Sequence, residues 1–123
     1  NNSSIALLIK VGGVSLFAAG DIEPPAQSAI LASHKITHVD ILKVAHHGSR
    51  FQDFALLDAL SPRFAIISVG AGNTYGHPAP VTIDALAQRG VKILRTDRDG
   101  AISIDSSFRI RTQRKKWWMI SWG

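Results

Sequence analysis

Residues 40–50 read DILKVAHHGSR, and the fold is decided there. Ile41, Leu42, Val44 and Ala45 carry the apolar signal of a short buried strand, which runs straight into two histidines, a glycine and a serine. In an open α/β sheet, the carboxyl ends of the strands face the crevice where ligands bind. Side chains able to hold a metal or move a proton stand at such an end here, so His46 and His47 are the first candidates for chemistry.

Upstream, the apolar runs 5–11 and 14–19 meet at Gly12-Gly13, a dipeptide that accepts the positive φ of a tight hairpin, and read as an antiparallel pair. The second run stops at Gly20-Asp21, and Pro24-Pro25 then opens a helix through Ala29, Ile30 and Leu31. Asp21 is left on a strand-to-helix corner. Downstream, Ser49 followed by Gln52 has the form of a capping box, with Phe51, Phe54, Leu57 and Leu60 at helical spacing behind it and Ser61-Pro62 as a stop. A third unit has the near-continuous apolar strand 64–69, a polar glycine-rich loop from Gly70 to His77-Pro78, a helix from Pro80 and a glycine stop at Arg89-Gly90. Residues 91–95 and 101–104 read as strands around the Asp99-Gly100 turn, and Phe108, Ile110 and Thr112 alternate with Arg109 and Arg111 as in an edge strand. The final RKKWWMISWG fits no element.

Strand-helix units in succession predict an α/β fold with a mixed, mainly parallel sheet, flanking helices and right-handed crossovers, preceded by one hairpin. Parallel strands ending at Ala19, Ala45 and Val69 would bring Asp21, His46, His47 and His77 to one rim. One carboxylate with several imidazoles suits a divalent transition metal: zinc takes nitrogen and oxygen donors, and carboxylate also suits manganese. Asp21 offers two oxygens and can bridge a pair of ions, a known clamp for phosphoryl-ester hydrolysis. Each residue also has a plainer reading. Asp21 would serve as a helix cap, one of the His46/His47 pair would only orient its neighbour, and His77 would brace its loop. Ser49 reads as a cap rather than a nucleophile, His34 and His38 as surface residues, Lys43 as an edge or salt-bridged lysine, and Asp97 and Asp99 as turn residues, with Asp97 a further candidate for the rim because it too follows a strand.

The chain has 123 residues, enough for one domain, and 46% hydrophobic with 19% charged residues is ordinary globular composition. It has no cysteine, which excludes disulfides, thiolate metal sites and a cysteine nucleophile. No apolar run is long enough to cross a bilayer and no signal-peptide pattern is present. The start Asn-Asn-Ser-Ser, without methionine, reads as a piece of something longer. The net charge of +5 is local: residues 1–107 balance, whereas Arg109, Arg111, Arg114, Lys115 and Lys116 stand in 108–123 without an acid. That tail, with Trp117, Trp118 and Trp122, combines phosphate attraction with stacking surfaces and equally suits a membrane interface; its plainest reading is a solvated end.

The run NNSS, the hairpin, AAGD, DILKVAHHGS, ISVGAGNTYGHP and LRTDRDGAI, in that order, resembles the carboxy-terminal part of the metallo-β-lactamase-like domain of the ComEC family of DNA-uptake (competence) proteins. The resemblance implies that residues 1–107 form one αβ half of an αββα sandwich, with 108–123 as a separate basic, tryptophan-rich tail. Asp21 matches the metal-bridging carboxylate, His46 a metal ligand or site histidine, and His77 the last site histidine of the family pattern. It further implies a metal-dependent nuclease or phosphodiesterase, with zinc or manganese and two ions in the complete domain, acting during natural transformation. The implied partners are single-stranded DNA, the missing N-terminal half of the domain and the membrane-channel segments of the same protein. The implied location is a soluble domain of a bacterial inner-membrane protein, with the side of the membrane left open and the extracytoplasmic one favoured. The superfamily's upstream His-x-His-x-Asp-His signature is absent, so the chain is expected to be inactive alone, and its status as an enzyme is left open. The alternatives are a non-catalytic DNA- or protein-binding module with a degenerate metal site, and a small-molecule metallo-hydrolase of the same superfamily.

Overall fold

The computed structural model describes residues 4–114. Its centre is a five-stranded sheet of β1 (Leu7–Val11), β2 (Val14–Ala18), β3 (Ile41–Lys43), β4 (Phe64–Ile67) and β5 (Lys92–Arg95), lying side by side in chain order. β1 and β2 pair antiparallel through the Gly12-Gly13 turn, and β2 to β5 are mutually parallel. The α/β class and the mixed, mainly parallel sheet are therefore as the sequence predicts.

Three helices join the parallel strands: α1 (Pro24–Ala32), α2 (Phe54–Leu60) and α3 (Pro80–Gln88). Strands laid down in chain order with right-handed crossovers force every helix onto the same side of the sheet. The register bears this out. Phe17, Leu42, Ala65 and Ile93 lie in one row across the sheet, and the first three are buried in a core with Leu56, Leu57, Leu60, Ala85 and Leu86 from the helices. The next row, Ile9, Leu16, Ile41 and Phe64, belongs to the opposite face, over which no crossover helix passes.

That second face is covered at one end only. β6 (Ile102–Ile104) and β7 (Ile110–Thr112) form a separate antiparallel pair, and Phe108 between them stacks on Phe64 with ring centroids 6.1 Å apart. The other end is open: Leu7, Ile9 and Val11 are exposed, and Leu16, Ala18 and Ile66 are half-buried.

Three local readings change. The helix expected behind Ser49 begins only at Phe54, with Asp53 as its cap, its side chain accepting from Ala55 N at 2.9 Å. Gln52 is occupied elsewhere, its Nε2 donating to Ala45 O and Ser49 O, while Asp53 N is drawn to Gln27 Oε1 at 2.7 Å. Residues 50–53 are thereby held out of the helix and Phe51 stands outside the core. β5 and β6 do not form a hairpin; the helical turn α4 (Thr96–Asp99) lies between them, and β6 turns to β7 instead. Asp97 is paired to Arg95 within this turn, at 2.8 Å, and takes no part in the rim. His34 and His38 are exposed, as read from the sequence. Of the terminal RKKWWMISWG, residues 115–123 lie outside the described residues.

Candidate active site at the ends of three parallel strands

The loops that follow β2, β3 and β4 are stitched to one another by backbone hydrogen bonds. His46 N donates to Gly20 O at 2.8 Å, which ties the turn after β3 to the corner after β2. Ala79 N donates to Gly48 O at 2.8 Å, which ties the loop after β4 to the same turn. Both joints require glycine. Gly20 has φ +60 and Gly48 φ +79, and a Cβ would lie 2.6 Å from Ile5 O at the first and 2.7 Å from Pro78 Cβ at the second.

Between these joints the helical turn Ala45–Gly48 places His46 at φ 51, ψ 46 and His47 at φ 56, ψ 29. Consecutive left-handed residues that are not glycine carry a cost of about 1–2 kcal/mol each. Such strain persists only where the surroundings over-determine it, and it concentrates at functional positions. Thr82 and Gln27 supply part of that constraint from buried positions on the helices. Thr82 Oγ1 donates to Ser49 O at 2.7 Å, and Gln27 Nε2 donates to Ile22 O at 3.0 Å. Ser49 is buried, and its Oγ accepts from Phe51 N at 3.0 Å.

The side chains then meet as follows. His47 Nε2 lies 3.5 Å from Asp21 Oδ1. The His46 ring centroid is 6.3 Å from that of His47 and 5.6 Å from that of His77. Asp21, His46, His47 and His77 are thus neighbours on one rim, with His47 rather than His46 beside the carboxylate. Asp21 is positioned through its backbone, Asp21 N donating to Ser4 Oγ at 2.8 Å. Asn73 shapes the loop that carries His77, donating through Nδ2 to His77 O at 2.9 Å.

The tautomer of His47 follows from its partner. Its Nδ1 lies 2.6 Å from Ser68 O, and a carbonyl only accepts, so Nδ1 bears the hydrogen. In the neutral ring, Nε2 is then a bare lone pair turned towards a carboxylate oxygen. Two acceptors facing each other are satisfied by a proton or a cation, and nitrogen with carboxylate oxygen is a donor set that a divalent transition metal accepts. A second partner that fixes the far nitrogen of a ligating histidine is also the usual arrangement at metal centres. Among the described residues, no three His, Asp or Glu side chains are gathered into a group able to hold an ion by themselves.

Two clefts flank the rim. One, of about 260 Å³, is bounded by His47, Asn73, Tyr75 and His77; the other, of about 340 Å³, by His46, Arg50, Phe51, Tyr75 and His77. The sequence reading missed Gln27, Thr82, Phe51 and Tyr75 as shapers of this region. A lone glutamine or threonine in a helical segment gives no signal of burial, and Phe51 sits at a spacing that reads as core.

Among the described residues no helix is long and apolar enough to cross a membrane. No protein-family model matches the chain. It is 35% identical to ComE operon protein 3 of Bacillus subtilis, over 91% of this chain and 15% of that protein. It is 28% identical to competence protein ComA of Neisseria gonorrhoeae, over 99% of this chain and 18% of that protein. Identity to recombination protein 2 of Haemophilus influenzae is 27%, over 85% of this chain and 13% of that protein. The chain therefore spans less than a fifth of the length of these curated relatives. These homologues indicate a competence-related family, at moderate identity.

Proposed function

We propose that the chain is part of a metal-dependent hydrolase domain, of nuclease or phosphodiesterase type, that works on DNA during uptake in natural transformation. The observation that carries this reading is the meeting of Asp21 and His47 at 3.5 Å with His46 and His77 on the same rim, at the ends of successive parallel strands. The competence-named relatives supply the biological setting. Asp21 and His47 hold one side of a zinc or manganese site, and His46 and His77 stand ready as further ligands or proton carriers. When bound, the ion supplies Lewis acidity at a phosphoryl oxygen and lowers the pKa of water. The backbone stitches through Gly20 and Gly48 keep the carboxylate and the imidazoles in register, which is the chain's own contribution to positioning.

The remaining donors come from a second αβ half that packs on the open sheet face, completing a metallo-β-lactamase-like sandwich. The exposure of Leu7, Ile9 and Val11 on that face supports this part of the reading, since an apolar sheet face of this kind marks an interaction site. In this picture the chain alone is inactive, and the whole domain acts beside the membrane segments of a longer protein.

The test uses the longer protein that contains this segment, supplied with manganese or zinc and a labelled single-stranded oligonucleotide. Chelator-sensitive cleavage that is lost in Asp21→Ala and His47→Ala is the expected result. Cleavage unaffected by chelator or by both substitutions overturns the reading, and metal-independent binding without cleavage leaves the DNA-binding module in its place.

A further inference from the structure

We propose that the cleft beside His46 is a stacking subsite for a base of a single-stranded nucleic acid, walled by Phe51 and Tyr75, with Arg50 on its phosphate side. The inference deepens the reading above and rests on it for the class of ligand. The cleft, of about 340 Å³, is lined by His46, Arg50, Phe51, Tyr75 and His77. Tyr75 is 84% exposed and Phe51 59% exposed, although each ring could bury a large apolar area.

Neither ring is placed by packing; both are placed by polar bonds beneath them. Phe51 is turned out because Gln52 spans to Ala45 O and Ser49 O while Gln27 Oε1 accepts from Asp53 N. Tyr75 is presented by a loop pegged through Asn73, whose Nδ2 donates to Gly70 O and His77 O and whose Oδ1 accepts from Tyr75 N. With the backbone already fixed, only the two side-chain torsions of each ring remain to be ordered when something stacks on it.

The chemistry selects the occupant. The lining combines the Phe51 and Tyr75 rings with the imidazoles of His46 and His77 and the guanidinium of Arg50. A nucleobase matches this set, offering flat faces to the aromatic rings and a polar edge to the imidazoles. Arg50 adds the third element: its guanidinium carbon lies 4.9 Å from the Phe51 ring centroid, a cation–π contact that leaves its donors free for a phosphate. Stacking of this kind is tolerant of base identity. The cleft therefore grips a strand next to the rim without reading its sequence.

The experiment measures fluorescence anisotropy of labelled oligo-dT, and of an oligonucleotide of equal length made of abasic sites, with the full chain in a salt series without added metal. Stacking on two rings predicts that the wild type prefers the base-bearing strand by roughly a hundredfold, about tenfold for each ring. Phe51→Ala/Tyr75→Ala should bring that ratio close to one with an unchanged salt slope, and Phe51→Tyr/Tyr75→Phe should restore it. Arg50→Ala should lower the slope by about one without touching the ratio. A wild-type ratio near one, or a ratio that survives Phe51→Ala/Tyr75→Ala, overturns the subsite; in the second case the bases stack elsewhere, as on the tryptophans of the tail. Cleavage by the longer protein with no base preference here removes the subsite alone. Base preference here without cleavage there removes the hydrolase reading alone.

Discussion

His46 and His47 occupy a backbone conformation that an L-residue with a bulky side chain resists, held there by Gly20 on one side and Gly48 on the other. Two opposite predictions follow from that arrangement. His46→Gly removes a side chain and its strain together, so urea unfolding should show a protein as stable as the wild type or up to about 1 kcal/mol more stable. Metal affinity measured by titration calorimetry on the longer protein should fall in the same variant. Gly48→Ala does the reverse: with φ +79 and a Cβ 2.7 Å from Pro78 Cβ, it should cost about 1–3 kcal/mol and separate the histidine turn from the loop that carries His77. The rim residues were legible in the sequence because a polar cluster directly after an apolar strand can only stand at a strand end. Gln27 and Thr82 were not, since what buries them is the turn they hold, and that turn is brought to them by tertiary folding. Phe51 was misread for a related reason. The spacing of 51, 54, 57 and 60 is helical, but bonds from Gln52 and Gln27 outweigh the local propensity.

Among elements, the turn α4 does more than join two strands. Thr96 Oγ1 accepts from Val69 N and donates to Val69 O, each at 2.8 Å, and so fixes the end of β4 from which the His77 loop departs. Thr96→Val should lower stability by about 1–2 kcal/mol in denaturant unfolding, by leaving Val69 N without its acceptor. The turn is itself braced by acids. Asp99 Oδ2 accepts from Arg95 N at 2.9 Å, and the Arg95 side chain donates to both carboxylate oxygens of Asp97. That hydrogen bonding holds the Asp97 carboxyl below the usual carboxylate value and raises Arg95 above its own. A lowered folded-state pKa means that the contribution is whole above about pH 4, the unfolded value, and is lost as the pH falls through the folded one. Thermal unfolding between about pH 2 and 5 should therefore show a shallower acid loss in Asp97→Asn, by up to about 1 kcal/mol. The sheet strands, α1 and α3 were legible from apolar runs and from Gly-Gly, Pro-Pro and Arg-Gly punctuation, whereas the late start of α2 and the helical turn α4 were not. The partner of β6 was not, because Asp99-Gly100 has the composition of a hairpin turn whether or not a helical turn precedes it.

At the scale of the whole molecule, every crossover helix lies on one side and the other side is apolar and partly bare. Burying a Val, Leu or Ile fully is worth about 1.5–3 kcal/mol, so Leu7, Ile9 and Val11 make the bare end a strong site for association. The isolated chain should show concentration-dependent self-association in sedimentation velocity, and Ile9→Lys should reduce it without lowering the unfolding midpoint. An unchanged distribution in that variant would mean that the face is not what brings copies together. The order of the strands has a different consequence. Because each strand lies against the one before it in the chain, a ribosome releasing this segment hands every new strand to a template already in place, and pairing never waits for a distant sequence. The rim of Asp21, His46, His47 and His77 is built in the same succession, corner, turn and loop, and it closes only when Pro78 settles over Gly48. The rim, on this account, is the last thing the growing chain acquires, after its framework is secure.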